Sequence, residues 1–212
     1  MNTAPFPKLR QLAWLLAAWV SWLPAANAYL VAITPGNRTI YLQVGAGTMS
    51  RGSFTNGGTP SDNATINSVS VTVPAAALGT GSLPMTSNST VANSPYDGYA
   101  FCSPPGQVYV GGFYRIPGST GTASLTVTTP ANLLNAAADQ IPFSAITWAS
   151  GGNGDTTATI PAGQFAGVPA QPLLSIPANR WFESCLTFSF SNARGYAAGT
   201  FNGRATYTLT AP

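Results

Sequence analysis

The chain has 212 residues, with eight Lys and Arg against five Asp and Glu, no His, and a formal net charge of +3. Without imidazole, Ser–His–acid and Cys–His catalysis and His-ligated metal sites are excluded. No cluster of Lys and Arg is present to neutralise a run of phosphates, which excludes nucleic acid as a partner.

The first 28 residues, MNTAPFPKLRQLAWLLAAWVSWLPAANA, carry Lys8 and Arg10, then an apolar run from Leu12 to Leu23, then Ala26-Asn27-Ala28. A short basic region, an apolar stretch too short to span a bilayer and a small-x-small site make a secretory signal peptide. Cleavage leaves one exported domain, residues 29–212. Its six Arg face five acids, a net charge of +1.

The exported part reads as short alternating runs separated by Gly, Pro, Asn and Ser. Tyr29, Val31 and Ile33 share one face before the turn-like TPGN, and RTIYLQV then aligns Ile40, Leu42 and Val44. GAGTMSRGSFTNGGTPSDN is a long loop lacking the Lys and strand-to-helix setting of a phosphate loop. INSVSVTVP predicts a strand with Val69, Val71 and Val73 on one face. Residues 76–98 read as loop with a short edge strand.

Tyr99–Cys102 and QVYVGGFYRI predict two further strands, the second bent or bulged at Gly111-Gly112. SLTVTTP points Leu125 and Val127 inward. ANLLNAAAD, residues 131–139, is the one stretch patterned for a helical turn or two. AITWASGGNGDTTATIP predicts a hairpin around SGGNGD. A calcium loop there would need more carboxylates than Asp155. ANRWFES reads as a turn, CLTFSFS as a strand aligning Leu186, Phe188 and Phe190, and the chain closes on a strand from Phe201. Eight to ten short strands predict an all-β antiparallel sandwich, with a closed barrel as the alternative.

Chemistry is sparse. Asp62, Asp97, Asp139, Asp155 and Glu183 offer no pair singled out by local context, so neither a catalytic residue nor a metal or other cofactor is expected. Cys102 and Cys185 are an even count in an exported chain, which favours one disulfide over two free thiols. Tyr96, Trp181 and Phe182 are candidates for a glycan-stacking surface. Trp148 alternates with Ile146 and reads as core.

The ending, GTFNGRATYTLTAP, carries a resemblance. Gly199 is fourteenth from the end, and Ala205, Tyr207, Leu209 and Ala211 alternate after it. With the leader, the alternating start of the exported chain, the low charge and the two cysteines, this layout resembles subunits of bacterial chaperone–usher pili. The chain departs from that pattern in having Ala211 at the penultimate position, where the family has an aromatic, and in its wide cysteine spacing. The resemblance implies an immunoglobulin-like sandwich lacking its last strand and a non-enzymatic structural or adhesive role in a cell-surface fimbrium. It further implies neighbouring pilus subunits, a periplasmic chaperone, an outer-membrane usher and a host or surface glycan as partners. Gly199, Ala205, Tyr207, Leu209 and Ala211 would border the acceptor groove. The donor segment would lie within 29–45, with Tyr29, Val31 and Ile33, or Ile40, Leu42 and Val44, as the inserted face. The other reading of both runs is the ordinary first strands of a self-complete sandwich that binds a glycan or surface ligand.

Overall fold

Alternation of apolar and polar residues dominates the structure, a computed structural model that describes residues 38–46, 48–50, 59–61, 67–155 and 159–212. Residues 1–28, expected to be a leader, and Tyr29, Val31 and Ile33 lie outside the described residues. The larger sheet runs β1 (Thr39–Val44), β7 (Val108–Arg115), β14 (Arg180–Asn192), β11 (Ile146–Gly151) and β12 (Gly163–Gln164), with all pairs antiparallel. β14 spans 13 residues. Along one edge its first half pairs with β7 and its last four residues with β5 (Gly81–Pro84).

The smaller sheet places β8 (Thr122–Thr128) between β13 (Gln171–Pro177) and the C-terminal strand β15 (Thr206–Thr210), again antiparallel. Three short ladders complete the described strands: β2 (Thr48–Ser50) with β3 (Thr59–Ser61), β4 (Val69–Ser70) with β6 (Thr86–Ser87), and β9 (Asn132–Leu134) with β10 (Gln140–Pro142). The protein is an all-β antiparallel sandwich.

Period two explains what lies between the sheets. Ala123, Leu125 and Val127 point inward from β8 and are 0–1% exposed. They meet Val108, Val110 and Tyr114 from β7 and Phe182, Leu186, Phe188 and Phe190 from β14. Trp148 belongs to this core, its indole N–H donating to the Pro161 carbonyl at 2.9 Å. Val69, Val71 and Val73 pack against it as expected, although only Val69 and Ser70 join a ladder.

Five local expectations are corrected. Residues 131–139 form β9 and a turn rather than helix. The Asn135 side-chain carbonyl accepts from the Ala137 and Asp139 N–H groups, which a helix would need for its own ladder. Gly111-Gly112 is not a bulge, since both ladders of β7 run through it in register. The glycines are there for close approach: a Cβ at Gly112 would sit 2.0 Å from the Tyr41 carbonyl oxygen, and one at Gly111 2.3 Å from the Tyr109 hydroxyl. Tyr99–Cys102 makes a single bridge, Ala100 to Asn93, rather than a strand. ANRWFES is mostly strand, because Asn179 at φ 61° tightens the reversal. Its side chain bonds both the N–H and the carbonyl of Ile116. In the SGGNGD hairpin, the return partner of β11 is Gly163–Gln164, later than expected, with residues 156–158 outside the description.

Candidate functional site

Two places in the fold collect the residues singled out from sequence. The first is the edge of the smaller sheet. On β15 the odd residues Ala205, Tyr207, Leu209 and Ala211 pack against the core but remain half-buried, while Thr206, Thr208 and Thr210 are exposed. Tyr207 sits opposite Val127 and Leu209 opposite Leu125. Burial lifts the Tyr207 hydroxyl above the usual tyrosine range.

Among the described residues, β15 ladders only with β8, and β1 only with β7. Cα atoms of these two edge strands come within 8 Å of one another, yet no ladder joins them. Ile40, Leu42 and Val44 therefore sit on an edge strand already paired within its own chain, opposite Tyr114, Gly112 and Val110. Leu42 and Val44 pack half-buried against the same core as β15, and Ile40 is 43% exposed. Gly199 lies in the exposed loop before β15, at φ 152°, where a Cβ would stand 3.1 Å from the Asn135 amide nitrogen.

The second place is the face of the larger sheet turned away from the core. Alternation along β14 points Trp181, Glu183 and Cys185 to this face and Phe182 to the other. Phe182 is consequently 3% exposed inside the core and is withdrawn from the candidate ligand aromatics. Cys185 and Cys102 form a disulfide with a Cα–Cα distance of 5.5 Å, which ties the loop carrying Phe101 to the sheet.

Glu183 is the hub. Its Oε2 accepts from the Tyr109 hydroxyl at 2.9 Å, the Trp181 indole N–H at 2.9 Å and the Ser94 hydroxyl at 2.7 Å. Ser94 Oγ also lies 3.0 Å from Oε1 and accepts from the Tyr96 N–H at 3.1 Å. These three donors are neutral, so the carboxylate is held by hydrogen bonds alone. Burial chiefly, then the Glu183 charge and hydrogen bond, raise the Tyr109 hydroxyl far above its ordinary range. Tyr41 is pushed up to about 12 by burial, and its hydroxyl donates to the side-chain oxygen of buried Gln43.

Rings cover the hub. Trp181 lies 5.7 Å from Phe113 and 6.1 Å from Tyr41, centroid to centroid, and Tyr96 stacks on it at 5.6 Å and 28°. Trp181 and Tyr96, 85 positions apart, are thus brought together, with Tyr96 keeping 42% of its surface exposed. The sequence reading passed over Glu183 as the hub. The signal was present in RWFESC, where Trp181, Glu183 and Cys185 at every second position must share a face of a strand. Ser94 and Tyr109 carried no such signal, since only the fold brings them to Glu183.

No protein-family model, curated protein or solved structure matches the chain.

Proposed function

We propose that the chain is a non-enzymatic structural and adhesive subunit of a cell-surface fimbrium, an immunoglobulin-like sandwich completed by a strand from a neighbouring copy. The observation that carries this reading is the pair of adjacent edge strands, β1 and β15, which share a half-covered apolar core and no ladder. An added strand would gain main-chain hydrogen bonds along these edges, and its alternate side chains would cover the half-buried residues. Tyr29, Val31 and Ile33 of a neighbour have the required alternation. Such head-to-tail contacts do not close, so they build a filament. An unpaired edge is a hazard before assembly, which calls for a periplasmic chaperone and an outer-membrane usher. The disulfide agrees with export to an oxidising compartment.

The second reading is a self-complete exported binding module, favoured by the full ladder that β15 already has on β8. Export of the full chain without a pilus chaperone separates the two. Aggregation or proteolysis, relieved by the chaperone or by a peptide spanning residues 29–37, supports assembly by strand addition. A stable monomer with one sharp unfolding transition, indifferent to that peptide, overturns it.

A further inference from the structure

Beside the Glu183 hub lies a surface hollow of about 540 Å³, within the roughly 300–1,000 Å³ range of small-molecule sites. Its lining brings Tyr96 and Trp181 together with Asp97, Asp155, Glu183 and Arg180. The chain has only five acids in all, and three of them converge here. In the same turn, Tyr99 is 76% exposed and donates its backbone N–H to Asp97. An aromatic stack and flanking carboxylates therefore meet on an otherwise charge-poor surface.

We propose that this hollow is a carbohydrate-binding site for a neutral, hydroxyl-rich sugar of one or two rings. A pyranose ring presents one face of C–H groups, which suits an aromatic ring, and an equator of hydroxyls that both donate and accept. Asp97 and Asp155 supply acceptors on the rim. Glu183 is already engaged by its three donors and fixes Trp181 in place through the indole N–H. An acidic sugar would face three carboxylates and is excluded by charge. A bare cation is disfavoured because Glu183 already accepts from three donors and, among the described residues, no group of acidic side chains is placed to hold one. The site lies on the face of the larger sheet turned away from the smaller one. It supplies a ligand class for the second reading and an adhesive surface for the first, and it does not require strand addition.

The test is saturation-transfer NMR on the full-length chain, expressed for export. The probes are methyl glycosides of glucose, galactose, mannose and N-acetylglucosamine, with sialic acid and choline alongside. A neutral glycoside is expected to show transfer, weakened at least about tenfold in affinity by Tyr96→Ala and by Asp155→Asn, and retained by Tyr96→Phe. Tyr96 and Asp155 are both exposed, so the variants are expected to fold, with Tm lowered by about 1–6 °C in Tyr96→Ala through loss of its stack on Trp181. Transfer to no neutral glycoside overturns the proposal. So does neutral-sugar binding unchanged by Tyr96→Ala, or binding of choline or sialic acid alone. None of these outcomes bears on the β1 and β15 edges, which the variants leave untouched.

Discussion

Replacing Tyr109 with Phe isolates what the Glu183 hub contributes. The ring is 0% exposed and stands edge-on to Phe101 at 6.3 Å, so Phe keeps the packing and loses only the hydroxyl. That hydroxyl donates to an ionised oxygen at 2.9 Å, a class of hydrogen bond with a net contribution of about 1.5–3 kcal/mol. Glu183 is half-buried and keeps Ser94 and Trp181 as donors, and water can replace part of what is lost. The lower end applies, about 1.5–2 kcal/mol. For a domain of this size that lowers Tm by about 3–8 °C. Tyr41→Phe is the control: its hydroxyl bonds the neutral amide of Gln43, and its removal costs about 0.5–1.5 kcal/mol. Thermal unfolding by circular dichroism, disulfide intact, reads both. A Tyr109→Phe protein at least as stable as Tyr41→Phe would refute the assignment of Glu183 as the hub. A double-mutant cycle with Glu183→Gln should return a coupling of about 1 kcal/mol or more.

Alkali provides a second check. Burial holds Tyr41 at about 12 and raises Tyr109 and Tyr207 further, whereas the unfolded chain ionises its tyrosines near 10. Raised folded values mean stability is whole below about pH 10 and falls above it, by about 1.4 kcal/mol per pH unit for each tyrosine. Denaturant midpoints measured between about pH 9 and 12 should show that fall, shallower in Tyr109→Phe. Replacing both cysteines with Ala opens a loop of sequence separation 83 and should cost roughly 4–5 kcal/mol on chain entropy, read by urea unfolding. Gly112→Ala would press its Cβ to 2.0 Å from the Tyr41 carbonyl oxygen, part of the backbone. β1 should then detach from β7, with hydrogen-exchange protection lost at Tyr41 and Gln43 while β8 keeps its own.

Two of the strands readable from sequence are covered on one face only. Thr122–Thr128 and Thr206–Thr210 alternate cleanly because each separates core from a polar face, whereas Val108–Arg115, buried on both faces, was legible from its Val, Tyr and Phe content. β13 went unseen because Pro172 and Pro177 bracket it. Proline is tolerated there since, among the described residues, β13 is an edge strand. The start of β14 was read as a turn because Ala-Asn-Arg precedes it, and the turn proves to be only the first two of those residues. Helical composition misled at Ala136–Ala138, where one side chain, Asn135, outcompetes helix formation. For the candidate site, Trp181 and Tyr96 were legible as aromatics in polar settings. Their meeting was not, because it depends on the loop that the disulfide fastens to the sheet.

β14 also dictates the order in which the chain can fold. Residues 180–192 are the shared partner of β5, β7 and β11, and they follow all three in the chain. Until they arrive, the larger sheet has only its β1–β7 and β11–β12 pairs, and the apolar faces of Val108, Val110 and Trp148 stay open. Pairings such as Val108 with Leu186 join residues far apart in the chain, a topology that closes slowly and leaves sticky intermediates waiting. The core cannot close until β14 has been synthesised, so the interval of greatest danger is set by the chain's own strand order.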